Sequence, residues 1–228
     1  MTNSSREYLA RYNRRFATDA PPGSLVLDAG AGEQQYRPYF SHCNYESADF
    51  EMVDKPYAKS TYVCDLGSIP VEDGRFDRII FNQVQEHLPD PLAVLRELNR
   101  VLKPGGKLLC TAPLFYEEHE RPFDFYRYTQ FAHRHLMERA GFQIDWLEWM
   151  EGYFGTLGYQ FQGMAQHIPA NPVRYLKPSF WPIFFWPFAL FVKASAVLLA
   201  ASFYRLDLAM KITDRGYPKN YALVVTKN

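Results

Sequence analysis

Three carboxylates carry the first chemical signal in this sequence. Asp28, Asp49 and Asp65 each close a short run that reads as a β-strand: SLVLD at 24–28, YESAD at 45–49 and TYVCD at 61–65. The turn after the first acid, DAGAG, holds Gly30 and Gly32, where backbone without a side chain can take positive φ and approach a ligand closely. Asp49 stands 21 residues beyond Asp28, where a carboxylate accepts both ribose hydroxyls of a nucleoside. Asp65 ends the third run, placed to accept from an adenine amino group. A dinucleotide site asks for G-x-G-x-x-G, yet the position of its third glycine holds Gln35. An acid two residues before the first glycine is also a poor neighbour for a pyrophosphate. It suits a nucleoside that carries positive charge.

A second group of residues points to proton chemistry. Glu86-His87 follows the fourth strand, and the loop PLFYEEHERPFDFYRYT (113–129) brings His119, Asp124, Tyr126 and Arg127 after the fifth. A histidine in a loop can titrate near neutrality, so His119 is the first choice for a general base, with His87 second. The alternative for His119 is a solvated histidine between glutamates. Arg127 either anchors an anionic acceptor group or pairs with Asp124, and Tyr126 joins them as a candidate substrate contact. His133 and His135 sit two apart on a helix and face different ways, so they cannot chelate together. No HExxH motif or cysteine cluster is present, and a metal-free mechanism is expected. KPGGK at 103–107 is a turn and not a phosphate loop, because it precedes a strand and no Ser or Thr follows its lysine.

These residues need elements to position them. Further strands are expected at 76–82, 107–112, 142–149 and 221–226, with helices at 4–17 (capped by Ser4 or Ser5), 91–102 and 129–140. Alternation of this kind predicts an α/β fold with a mostly parallel, doubly wound sheet. The 228 residues carry 25 basic and 25 acidic side chains, a balance that argues against nucleic acid as partner, while 47% hydrophobic content is enough for a core. Three scattered cysteines, Cys43, Cys64 and Cys110, form no disulfide framework, and the N-terminus has no apolar signal region. The expected location is the cytoplasm.

Taken together, VLDAGAGE, the acid at Asp49, CDL at 64–66, FDRIIFNQVQEHLPDP at 76–91 and LKPGGKLL at 102–109 resemble the class I S-adenosylmethionine-dependent methyltransferases, in particular their type 11 group. S-adenosylmethionine is a nucleoside with a sulfonium and an ammonium, the positive charge that the acids call for. The resemblance spans roughly residues 22–150 and the terminal strand. It implies a Rossmann-like seven-stranded sheet with Asp28, Gly30 and Gly32 in the first cofactor loop. Asp49 would hold the ribose, Asp65 and Leu66 flank the adenine, and Asn82 and Gln83 lie beside the methionine part. One departure stands out: the loop usually ends in a further glycine, and Gln34 takes its place. A slightly more open loop is expected there.

Residues 1–20 form an N-terminal helical segment, and 21–228 a domain interrupted by a Gly-, Pro- and aromatic-rich insertion at 152–212. Within it, 180–201 (FWPIFFWPFALFVKASAVLLAA) carries one charge, Lys193, in 22 positions. That length suffices for a membrane span, but the chain must return at 221–226 to finish the sheet. The segment therefore dips and returns with a bend at Pro182 and Pro187, lies in the membrane surface, or packs as a lid or dimer interface. Trp181, Trp186, Arg174, Lys177 and Arg205 suit an interfacial site at the inner face of the membrane. Methyl transfer to a small or lipid-linked acceptor, at oxygen, is the expected function. A non-catalytic membrane-associated scaffold is the alternative, and a nicotinamide-dependent oxidoreductase is disfavoured by Gln35.

Overall fold

The computed structural model describes residues 3–53, 56–169 and 181–228. Seven strands form one sheet in the order β3-β2-β1-β4-β5-β7-β6. They are β1 (Leu25–Ala29), β2 (Asn44–Asp49), β3 (Tyr62–Val63), β4 (Phe76–Asn82), β5 (Leu102–Pro113), β6 (Phe142–Trp149) and β7 (Asn220–Lys227). Strand β1 pairs in parallel with both β2 and β4, so the winding reverses beside it. That reversal opens a crevice beyond the strands' carboxyl ends. Only β7 runs against its neighbours, antiparallel to β5 and to β6. The fold is the expected seven-stranded α/β sheet, with apolar helices inserted before its last strand.

The chain divides into two compact units. Residues 8–150 and 220–228 form the sheet unit, and residues 1–7 with 151–219 form the other. In the sheet unit the central strands read as continuous apolar runs because both faces are covered. Leu27, Ile79, Ile80, Phe81, Leu108 and Leu109 are wholly buried. Helix α2 (Pro91–Val101) turns Val94, Leu95, Leu98 and Val101 to this core. Its N-terminus is fixed by Asp90, whose carboxylate accepts from the Ala93 N–H at 3.0 Å. Helix α3 (Gln130–Arg139) is capped by Thr129, which accepts from Ala132 at 3.2 Å. The KPGG segment swells out of β5: Phe76 pairs with Leu102, and two residues on Arg78 already pairs with Lys107.

Helix α1 (Ser4–Thr18) buries Tyr8, Tyr12 and Phe16 at helical spacing. Its cap is Asn3, which accepts from the Ser5 N–H at 2.9 Å, and not Ser4 or Ser5. Both serines lie inside the helix and are buried, and the Ser5 hydroxyl donates to the Glu151 carboxylate at 2.5 Å.

In the second unit, α4 (Tyr153–His167) and α5 (Trp181–Met210) pack as an antiparallel pair. Gly155 meets Asp207, Gly158 meets Tyr204, and the Ile168 carbonyl meets Lys193, so one chain rises as the other falls. Glycine is required at 158, because a Cβ there would stand 2.7 Å from the Tyr204 ring. Phe161 stacks on Phe203 with ring centres 5.5 Å apart. Lys193, the one charge of the apolar run, donates to the Ile168 carbonyl at 2.6 Å and so closes the C-terminus of α4. Pro182 and Pro187 both fall within α5, which runs past them as one helix to Met210. Arg174 and Lys177 lie outside the described residues.

Candidate active site

The glycine turn after β1 depends on two left-handed residues, Gly30 (φ 77°) and Gly32 (φ 50°). A Cβ on Gly30 would lie 2.3 Å from Val84 Cγ2, so the turn passes too close to the segment after β4 for any side chain. At Gln34 the structure departs from the expected opening. Gln34 keeps the left-handed backbone of a glycine, with φ 54°. Such a conformation costs a residue with a side chain roughly 1–2 kcal/mol. Its amide offsets this by donating to Ser47 Oγ at 3.0 Å and to the Lys59 carbonyl at 2.9 Å, while accepting from Arg37 at 3.0 Å. The loop is braced where it was expected to loosen.

The three strand-end acids part company. Asp49 Oδ2 accepts from the Gly32 N–H at 2.8 Å and Oδ1 from the Glu51 N–H at 3.0 Å. Each oxygen keeps lone-pair capacity for a further donor. Asp65 Oδ1 accepts from Gly67 at 2.7 Å. Both acids face a cleft of about 270 Å³, with Gly30, Leu66 and Gln83 in its wall. Asp28 does not line it. That carboxyl is buried and takes a hydrogen bond from the Tyr45 hydroxyl; burial pushes its pKa up to about 7. Asn82 is also turned away, donating to Asn13 at 2.9 Å and accepting from Thr111 at 3.1 Å. Gln83, left-handed itself at φ 55°, presents its neighbourhood to the cleft while its amide donates to Thr111 at 3.2 Å.

The rest of the cleft is mostly apolar. Phe50, Met52, Val53, Val84, Leu88 and Pro89 line it along with His87, Glu120, Phe123 and Phe125. Among the described residues no lysine or arginine does. A site of this kind repels a pyrophosphate and favours a cation. The residues fit an adenosyl group: two carboxylates for hydroxyl and amino donors, a backbone turn without side chains, and apolar walls for a ring. Val84, Glu120, Phe123 and Phe125 carry no motif signal, because their approach to the turn is set by how the segment after β4 and the loop after β5 fold together.

At the far end, the loop after β5 is laced to the turn after β4. The Phe125 and Tyr126 N–H groups donate to the Glu86 carbonyl at 2.9 and 3.2 Å, and the Tyr128 hydroxyl donates to the Gln85 carbonyl at 2.9 Å. This brings together two residues far apart in sequence: the rings of His87 and His119 lie 4.7 Å apart, edge to face. Glu86 is fully buried beside them, and burial lifts its carboxyl to about 8. Burial also lowers the His87 pKa. The substrate contacts expected at Asp124, Tyr126 and Arg127 are differently employed. Arg127 grips Asp124 with two bonds of 2.6 and 2.8 Å and donates to the carbonyls of Tyr116, Glu117 and Tyr126. That pairing holds the Asp124 carboxyl well below its ordinary range. The Tyr126 hydroxyl donates to the Pro89 carbonyl at 3.2 Å. These three brace the loop, while Glu120, Phe123 and Phe125 face the cleft.

Residues 2–151 match the profile of a methyltransferase domain family, well over half the chain. The chain belongs to the class I S-adenosylmethionine-dependent methyltransferases. Curated relatives of this methyltransferase include a demethylmenaquinone methyltransferase of Staphylococcus saprophyticus, 40% identical over 67 residues that cover 27% of this chain and 29% of the relative. An arsenite methyltransferase of Aquipseudomonas alcaligenes is 40% identical over 83 residues, 36% of this chain and 24% of the relative. The matches thus span less than a third of either relative. Among solved structures, phosphoethanolamine N-methyltransferase 2 of Haemonchus contortus in complex with S-adenosyl-L-methionine superposes with a TM-score of 0.57 at 19% identity, covering 97% of this chain and 52% of the other. SpnF, a 4+2 cyclase, superposes with a TM-score of 0.58 at 19% identity over 96% of this chain and 80% of its own. At such identity these two share the fold, and the second shows that the fold by itself does not dictate the reaction.

Proposed function

We propose that this methyltransferase moves the methyl group of S-adenosylmethionine to a hydroxyl oxygen on a small or lipid-linked acceptor. The observation that carries this reading is the cleft with Asp49 and Asp65 on its wall and no lysine or arginine among its described lining residues. On this reading Asp49 accepts from the ribose hydroxyls, Asp65 from the adenine amino group, Leu66 covers the ring, and Gln83 lies by the methionine part. The cofactor supplies a methyl carbon already activated by a positive sulfur. The acceptor oxygen forms a bond to that carbon as the carbon–sulfur bond breaks, the electron pair goes to sulfur, and the hydroxyl proton departs. The protein's task is alignment and activation of the acceptor. His87, with His119 beside it, and Glu120 are the polar groups at the acceptor end, where Phe123 and Phe125 add apolar wall.

The lipid-linked class is supported by α5. The stretch Trp186–Met210 is long and apolar enough to cross a membrane, with mean hydropathy 1.6 and only 11% of its apolar window buried. Phe188, Phe191 and Leu198 are 65%, 67% and 69% exposed along one helical stripe. Because β7 returns to the sheet, a lone crossing would separate it from its partners. The helix is better suited to lie in the cytoplasmic interface. All three cysteines are unpaired thiols, in keeping with that compartment. Calorimetry with S-adenosylhomocysteine tests the cofactor reading, and a lipid-extract screen with radiolabelled methyl donor tests the acceptor. His119→Ala is expected to lower turnover at least tenfold with cofactor affinity unchanged. Unchanged turnover would remove His119 from the reaction, and absence of saturable binding would leave the fold serving as a scaffold.

A further inference from the structure

The buried Glu86 carboxylate has no hydrogen-bond partner for either oxygen among the described residues. A polar group stranded in this way costs several kcal/mol unless something answers it. What faces it is a pair of imidazoles. His87 Nε2 lies 3.8 Å from Glu86 Oε1, and Glu86, His87 and His119 offer donor atoms that all lie within 4.8 Å of one another.

The second ring nitrogens decide what these imidazoles can do. His87 Nδ1 is 2.5 Å from the Phe123 carbonyl, which can only accept, so the ring proton sits on Nδ1 and Nε2 presents a lone pair. His119 Nδ1 lies 3.2 Å from the Glu117 carbonyl and 3.3 Å from Asp124 Oδ2, again two acceptors, so the neutral tautomer they favour carries its proton on Nδ1 and offers the Nε2 lone pair. Asp124 is held in turn by Arg127 and by the His119 N–H at 2.8 Å. Two lone pairs beside a buried carboxylate, each imidazole oriented by an acceptor behind it, is the donor set of a divalent metal with its outer shell in place. Donors around an ion with bonds of about 2.1 Å stand roughly 3–3.5 Å apart, within reach of small side-chain rotations from the present spacing.

We propose that Glu86, His87 and His119 bind a divalent first-row transition-metal ion at the acceptor end of the cleft. Two histidines and one carboxylate leave coordination positions open. Glu120, whose Oε2 is 4.0 Å from His87 Nε2, stands next to them. On the transferase reading, an ion held there would supply Lewis-acid activation, its open positions taking the acceptor hydroxyl and easing loss of that proton to solvent. On this proposal His119 is a ligand and not the general base, an alternative to the metal-free mechanism expected from motif spacing. The metal site itself stands independently of methyl transfer.

The test is titration calorimetry of the purified full chain, stripped with chelator, against MnCl2 and ZnCl2, with S-adenosylhomocysteine titrated in parallel. One equivalent of metal bound with a micromolar or lower Kd is expected. His87→Ala and His119→Ala should each weaken it tenfold or more, and the His119→Ala chain should hold S-adenosylhomocysteine within about threefold of wild type. Because Glu86 is buried, Glu86→Gln is judged alongside its thermal melt, and the variant at half-buried His119, His119→Ala, keeps the test decisive if Glu86→Gln fails to fold. Manganese EPR gives a second readout, since bound ion loses the sharp aqueous signal. Binding below about 0.2 equivalents, or a His119→Ala chain that binds as wild type, overturns the metal site. S-adenosylhomocysteine binding without metal binding would leave the transferase reading standing alone. Metal binding without it would do the reverse.

Discussion

Asp49 and Asp28 show how much two acids at matching sequence positions can differ once folded. On the proposed reading Asp49 accepts hydroxyl donors, and a hydrogen bond to a charged group contributes about 1.5–3 kcal/mol. Asp49→Asn is therefore expected to weaken S-adenosylhomocysteine binding roughly 10- to 100-fold by calorimetry, with little change in melting temperature. Asp28 leads to a stability prediction. Its native carboxyl keeps its proton up to about 7, whereas the unfolded chain loses it near 3.8. Between those values the native state binds more protons, so this residue's contribution to stability is full below about 4 and falls as pH rises towards 7. Asp28→Asn should flatten that part of the stability profile in urea melts taken from pH 4 to 7.5. A slope identical to wild type would show that the carboxyl is not held neutral. The sequence put Asp49 at the end of β2 correctly, while Asp28 lies one residue short of the end of β1 and Asp65 two residues beyond β3. It could not foresee Tyr45, since nothing in YESAD shows that its first hydroxyl reaches Asp28 across the β1–β2 pairing.

At the scale of elements, caps and faces set the outcome. Asp90→Ala removes the acceptor at the start of α2 and is expected to cost about 1 kcal/mol, read as a lower denaturation midpoint without loss of m-value. Helix α5 presents its stripe of Phe188, Phe191 and Leu198 outward, and each such side chain gains roughly 1.5–3 kcal/mol on leaving water. The full chain should co-sediment with phosphatidylglycerol-containing vesicles, and the triple serine variant at these positions should stay in the supernatant. Wild type remaining in the supernatant would count against a membrane face. The apolar run was legible from composition, as was Lys193 within it. That Lys193 closes α4 was not, because the contact joins residues 25 apart through a helix pair whose register depends on Gly155 and Gly158. The acceptor loop teaches the same lesson. Asp124 and Arg127 looked equally suited to a ligand or to each other, and only the geometry of the bidentate pair decided between them.

At the scale of the whole molecule, β6 and β7 are antiparallel neighbours, with Trp149 opposite Tyr221 and the Met150 N–H donating to the Asn220 carbonyl at 2.9 Å. Such strands can be joined by a two-residue turn. Replacing 151–219 by Asn-Gly is expected to leave a folded sheet that binds S-adenosylhomocysteine within about threefold of wild type and no longer meets vesicles. An unfolded product by circular dichroism would show that the sheet unit needs the second unit. Sequence alone determined the order of the seven strands, three of the helices and the family, because alternating apolar runs and a glycine turn act over a few residues and leave a periodic trace. The tertiary structure decided which acids share the cleft, that Arg127 braces the loop, and that Glu86, His87 and His119 meet. Those outcomes depend on side chains converging from segments tens of residues apart, and no local spacing records such a convergence.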